Sequence, residues 1–325
     1  MNSNSNRNGH GKKTDSLSAS LPESSLSGYH IPVLFHETLA GLAIRPDGIY
    51  VDCTFGGGGH SAGILQQLGP DGRLFAFDQD ADAQQNLQAD PRLIFIPQNF
   101  RHLKRFLRLH NISGVDGILA DLGVSSHQFD EAGRGFSIRF NADLDMRMDR
   151  RLPVTAFDIV QTYKAPELHK MFEQYGEVTN AKTLANTIVT IRDTVSLKTI
   201  DGFKNALRSV VKGNPNKYFA QVFQALRMEV NEEVPALKEM LEQTASLLKP
   251  GARIAVITFH SIEDRLVKTF FREGSFEKAD ENPFLNTSRE QIFKIITKKP
   301  ITATQAELDR NTRSRSAKLR IAERL

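Results

Sequence analysis

The stretch Ile49-Tyr-Val-Asp52-Cys-Thr-Phe-Gly-Gly-Gly-Gly59-His60 decides how the rest of the chain is read. A short β-rich run ends in a carboxylate, and four glycines follow. Ser61 then opens a segment with apolar residues at Ile64, Leu65 and Leu68, which stops at Gly69-Pro70. The order is strand, glycine loop, helix. Working outward, the turn Asp71-Gly72 leads into a second strand over 73–78, again closed by a carboxylate, Asp78. A third run, 93–96, leads to Asn99-Phe100, and a fourth, 115–121, ends in Asp121. Strands alternating with helical stretches predict an α/β fold with a parallel sheet covered on both faces. Ligands of such sheets bind at the carboxyl ends of the strands. The glycine loop, Asp78, Phe100 and Asp121 all fall at such ends.

The residue types there suggest a nucleotide-like ligand. Glycines let a ligand approach the backbone closely. A carboxylate after the second strand suits the hydroxyls of a ribose, an aromatic such as Phe100 suits a purine, and a carboxylate after the fourth strand suits an amine or ammonium. A dinucleotide site would need G-x-G-x-x-G, but Ser61 stands where its last glycine belongs. No G-K-[ST] follows the glycines, so a Walker A loop is absent.

Composition narrows the class further. The 325 residues are 40% hydrophobic and 25% charged, an ordinary globular balance. The single cysteine, Cys53, excludes an intrachain disulfide and a multi-cysteine metal site, and fits a reducing, cytoplasmic compartment. No run is long and apolar enough to span a membrane. Residues 1–28 contain 12 Asn and Ser and no apolar signal segment, which predicts a disordered extension. Residues 294–325 hold nine Lys and Arg against three acids, although the whole chain carries only +4. The charge is thus gathered at one end, where Arg313, Arg315, Lys318 and Arg320 are candidates for contact with a nucleic-acid backbone.

After the strands, 131–217 interrupts the alternation with helical patterns at 156–163, 167–174, 181–192 and 199–211. Amphipathic stretches at 218–230 and 234–248 lead to a strong strand at 253–259, a helix at 262–272 and a last strand at 293–297. This order predicts one core, 29–130 with 218–325, carrying an inserted helical domain over 131–217 that walls a substrate cleft.

Longer motifs make the reading specific. D-C-T-F-G-G-G-G-H-S (52–61), D-L-G-V-S-S-H-Q-F-D (121–130), R-G-F-S (134–137) and L-D-M-R-M-D (144–149) occur in order, followed by F-Q-A-L-R (223–227), V-N-E-E (230–233), I-T-F-H-S-I-E-D-R (257–265) and N-T-R-S-R-S-A-K-L-R (311–320). In these segments the chain resembles the bacterial ribosomal RNA small subunit methyltransferase H family, the 16S rRNA cytosine-N4 methyltransferases. It departs from the family pattern at Thr258, Ile262 and Thr312, and over 214–221.

The resemblance implies a class I S-adenosylmethionine-dependent methyltransferase, Rossmann-like with a mostly parallel sheet. Its cofactor is S-adenosyl-L-methionine and its partner 16S rRNA in the small ribosomal subunit. The resemblance also implies that Gly58, Gly59 and His60 hold the methionine part of the cofactor, Asp78 the ribose and Phe100 the adenine, with Asp121 and Gln128 completing the pocket. Asp121 is the leading candidate for accepting hydrogen bonds from the attacking amine, with Asp145 and His260 behind it. No metal site is expected, and the oligomeric state stays open, a homodimer included. The rival readings are a non-catalytic RNA-binding factor on the same fold and a methyltransferase acting on DNA or a small molecule.

Overall fold

A computed structural model describes residues 32–276 and 290–325. The extension expected over 1–28 lies outside the described residues. Seven strands form one sheet: β1 (Ile49–Asp52), β2 (Arg73–Phe77), β3 (Leu93–Ile96), β4 (Val115–Asp121), β5 (Leu248–Thr258), β6 (Phe293–Ile295) and β7 (Lys318–Arg324). Their order is β3-β2-β1-β4-β5-β7-β6. The pairs β1–β2, β2–β3, β1–β4 and β4–β5 are parallel, and β7 runs antiparallel to both β5 and β6. The winding reverses between β1 and β4, the position at which open α/β sheets leave a crevice for ligand.

The helices are α1 (Phe35–Leu42), α2 (Gly59–Gln67), α3 (Leu103–Leu109), α4 (Ser126–Asp130), α5 (Ala156–Thr162), α6 (Ala165–Gly176), α7 (Ala181–Ile191), α8 (Ile200–Ala206), α9 (Pro215–Val230), α10 (Glu233–Leu247), α11 (Ser261–Glu273) and α12 (Gln305–Arg310). Side chains alternate across a strand, and β4 shows the consequence. Ile118 and Ala120 join the cluster under α3, α10 and α11, whereas Leu119 joins the one under α1 and α2. Burial on both faces is why the parallel strands read as continuous apolar runs. A third cluster, from Phe136 to Val230, unites α5 to α9 into a separate helical lobe.

Two boundaries differ from the sequence reading. The break expected between 217 and 218 falls inside α9, which puts Tyr218, Phe219, Val222, Phe223 and Leu226 into the helical cluster. An amphipathic period shows that a helix has a buried face but not which core receives it, and the α/β core resumes only at α10. The strand at 293–297 is also not the last. The basic C-terminal strip becomes β7, whose Leu319 and Ile321 are buried in the sheet.

Candidate active site

The glycine loop is shaped by its backbone. Gly56 and Gly58 have φ of 51° and 76°, in the left-handed region that side chains disfavour. A Cβ on Gly59 would lie 2.4 Å from Pro32, so the chain also passes close by there. The loop is pinned from beneath. Phe55 N–H donates to the Phe77 carbonyl at 2.9 Å, and Asp52 accepts from the Thr54 amide at 3.0 Å and the Ser61 hydroxyl at 2.7 Å. The helix begins at Gly59 rather than Ser61, and the Ser61 side chain turns inward to Asp52. No side chain caps the N-terminus of α2, and such a terminus with free amides favours a carboxylate.

This loop forms one wall of a cleft of about 550 Å³ that runs over the carboxyl ends of β1, β2 and β4. Of the residues singled out from the sequence, Gly58, Gly59, His60, Asp78, Phe100, Asp121, Gln128 and Arg313 border it. Asp78 accepts the Gly56 amide at 2.7 Å and the Asp80 amide at 2.8 Å. Burial pushes its carboxyl up to about 6, although these two amides oppose the rise. Gln128 is committed within the protein: its Oε1 accepts the Ser125 amide and its Nε2 donates to Asp80 at 2.7 Å. It therefore braces the cleft wall.

Asp121 lies on the floor of the cleft with a quarter of its side chain accessible. Its backbone N–H donates to the Thr54 hydroxyl at 2.7 Å. Oδ1 is enclosed without a hydrogen-bond partner, and Oδ2 lies 3.6 Å from His60 Nδ1. Burial, reinforced by the negative charges of Asp52 and Glu263, pushes its carboxyl up to about 8. His60 is buried, its Nε2 lies 3.2 Å from the Val33 carbonyl, and desolvation drives its imidazole down to about 4.

Neither of the two weaker catalytic candidates borders the cleft itself, although Phe259 and Glu263 on either side of His260 do. Asp145 is bound by the Arg147 fork at 2.7 and 2.9 Å. Burial raises its carboxyl, but Arg147 holds it below the ordinary value. His260 caps α11 and lies 3.1 Å from Glu263. For the basic strip the structure corrects the sequence reading. Arg320 is buried and donates to Asp264 at 2.6 and 3.1 Å, and Lys318 lies 3.5 Å from the same carboxylate. Arg315 is exposed, and Arg313 pairs with Asp130 at 2.6 Å beside the Phe129 ring.

Sequence reasoning missed Glu263, which borders the cleft and acts on Asp121. Its position three residues after His260, in a helix-opening pattern, was the available signal. Burial favours its neutral form, yet His260 and Arg227 keep it ionised below the usual range. Glu233, His260 and Glu263 bring potential ligand atoms within 4.8 Å of one another, but Arg227 already holds Glu233 at 2.7 and 2.9 Å. The group is an ion-pair network.

A glycine cradle, an uncapped helix terminus, a carboxylate after β2 and an orphaned carboxylate oxygen after β4 suit a cofactor with an amino-acid arm, a ribose and a base. Fold and cleft together define a class I S-adenosylmethionine-dependent methyltransferase. The sequence matches the MraW methylase family over residues 27–325, and the chain belongs to that family. Three curated relatives are named ribosomal RNA small subunit methyltransferase H. That of Parabacteroides distasonis is 53% identical over 301 residues, covering 92% of this chain and 98% of the relative. That of Flavobacterium johnsoniae is 53% identical over 298 residues, covering 91% and 98%. That of Bacteroides thetaiotaomicron is 50% identical over 297 residues, covering 91% and 97%.

Proposed function

We propose that this protein transfers a methyl group from S-adenosylmethionine to N4 of a cytidine in the decoding region of 16S rRNA, acting on the small ribosomal subunit in the cytoplasm. The observation that carries the reading is the Asp121 carboxylate, set on the floor of the cleft beside the glycine loop, in a chain that belongs to a methylase family. The cofactor supplies an electrophilic methyl group on a sulfonium. Gly58, Gly59 and the first amides of α2 hold its amino-acid arm, Asp78 its ribose and Phe100 its base.

The chain's own residues must solve a nucleophile problem. The N4 lone pair of cytosine is delocalised into the ring, so attack requires that the amine pyramidalise and lose a proton. Asp121 accepts an N–H hydrogen bond, which favours pyramidalisation, and then takes the proton. A target base inside a helix cannot reach this floor, so the cytidine is turned out of its stack. Met148, which belongs to the cluster of the helical lobe, borders the cleft, so the lobe extends the site outward and favours RNA shape over a short sequence.

Methyl transfer from labelled S-adenosylmethionine to small subunits from a strain lacking this gene tests the reading, with the nucleoside identified by mass spectrometry. N4-methylcytidine is expected, and Asp78→Ala abolishes it. Label confined to naked DNA or to a metabolite, or subunit binding with no transfer, would overturn the assignment.

Arg313 and Arg315 serve as backbone contacts for the RNA. Arg313→Ala is expected to weaken subunit binding uniformly across RNA sequences and to lower the salt dependence by about one counterion. Binding titrations at several salt concentrations read both. An unchanged slope would remove Arg313 from the RNA interface.

A further inference from the structure

Building on the function proposed above, we propose that the His60 side chain is a positioning residue for Asp121. Its Nδ1 faces the Asp121 carboxylate and shares the proton that the carboxylate takes from the attacking amine, so the pair holds no proton before transfer and one after it.

The argument starts from the other ring nitrogen. A carbonyl oxygen only accepts, so the 3.2 Å contact with Val33 places the ring hydrogen on Nε2. Nδ1 then carries a lone pair, and it lies 3.6 Å from Asp121 Oδ2, just beyond a hydrogen bond. With the carboxylate ionised and the ring neutral, a lone pair faces a negative charge. One added proton turns this into an attraction, whether it sits on the oxygen or on the nitrogen, so the pair takes up that proton as a unit. Both ring nitrogens face protein atoms and the residue is only 6% exposed, which leaves the backbone of His60 to serve the cofactor loop.

The surroundings favour such a pair. From β1, Asp52 faces Asp121 but is tied to Ser61 and Thr54. From α11, Glu263 faces it and is balanced by His260 and Arg227. From α1, the Phe35 ring stacks on His60 with centroids 6.0 Å apart and brings no charge. The neighbouring charge is negative, so a proton is retained readily. In the reaction, the N4–H bond breaks and its electron pair stays on nitrogen. The proton bonds to Asp121, is shared with Nδ1, and leaves to water after turnover.

Two substitutions separate the ring's two contacts. His60→Gln keeps an amide near the Val33 carbonyl and removes the group facing Asp121, whereas His60→Asn keeps a polar atom at the Nδ1 position. Three quantities would be measured: the pH titration of the 13C-labelled Asp121 carboxyl in the free protein, the affinity for S-adenosylhomocysteine, and the single-turnover rate against pH. His60→Gln is expected to lower the Asp121 midpoint by about one pH unit and the transfer rate by about tenfold or more, with S-adenosylhomocysteine affinity changed less than about twofold. His60→Asn is expected to recover much of the rate, which also shows that the site still folds. An unmoved carboxyl midpoint would overturn the proposal. So would a His60→Gln variant that lost S-adenosylhomocysteine affinity while its rate with saturating cofactor held. If the wild-type protein made no N4-methylcytidine, the substrate reading would fail, while the carboxyl titration would still decide the pairing.

Discussion

Asp121→Asn is expected to fold, to bind cofactor within a few-fold of wild type, and to lose about 10²–10⁴-fold in methyl transfer, the range associated with a positioned acid–base group. The substitution keeps the shape of the side chain and its place after β4. Its amide donates to His60 Nδ1, where the carboxylate stood 3.6 Å away. What it loses is the capacity to take a proton. Wild-type transfer is expected to rise with pH as the carboxyl, held near 8, gives up its own proton and becomes the acceptor. The variant shows no such limb. Stability moves the opposite way. The folded carboxyl binds its proton more tightly than an ordinary aspartate, so its contribution is complete below the usual carboxylate range and is lost as pH rises toward about 8. Asp121→Asn removes this loss, and its melting temperature therefore gains on wild type as pH rises from about 4 toward about 8. Single-turnover rates and thermal melts across that range test both statements. Turnover that survived the substitution would remove Asp121 from the chemistry.

How much of this site was legible in the sequence depended on whether a residue's partner lay nearby. Val115–Asp121 could be read as a strand because both faces of β4 are buried: after Asp116, which Arg45 and Lys249 pair at the start of the strand, the run stays apolar until its terminal carboxylate. Asp78 and Phe100 followed by the same logic of runs that end at a cleft. β7 could not be read in this way. In K-L-R-I-A-E-R the charges mark a solvated tail to any local reading, and what makes Arg320 an interior residue is Asp264, supplied by α11. His260 stood out as a histidine at a strand end, but its neighbour Glu263 is the one that borders the cleft. His60 was legible as part of the loop motif. The orientation of its ring depends on Val33 on one side and Asp121 on the other, and no spacing rule connects the three.

The R-G-F-S and L-D-M-R-M-D motifs lead to the largest stability effect. Among the described residues Arg134 is the largest fully buried side chain, with 1% of its side chain exposed. One guanidinium nitrogen reaches Asp80 at 2.8 Å and Asp82 at 2.7 Å. The other donates to the carbonyls of Arg147 and Met148, each at 3.0 Å. The residue thus binds the loop after β2, which carries Asp78, to the segment that leads into the helical lobe. Asn231 closes the same joint from the far end of the lobe, accepting the Met148 amide at 2.7 Å and donating to the Met146 carbonyl at 2.8 Å. Removing the arginine leaves Asp80 buried and charged, with only Gln128 and local amides, and orphans two carbonyls. Breaking one side of a buried ion pair costs about 3–5 kcal/mol, a third or more of the stability of many domains. Arg134→Ala is therefore expected to lose about that much in denaturant titrations. Arg134→Lys recovers only part, because an ammonium cannot reproduce the planar fork that serves four acceptors. Arg151→Ala is the control. Arg151 also pairs with a carboxylate, Asp149, but is 59% exposed, and its loss is expected to change stability by less than about 1 kcal/mol. Equal losses in the two alanine variants would mean that Arg134 does not hold the joint. The expected contrast would instead make it the main tie between the loop after β2 and the helical lobe.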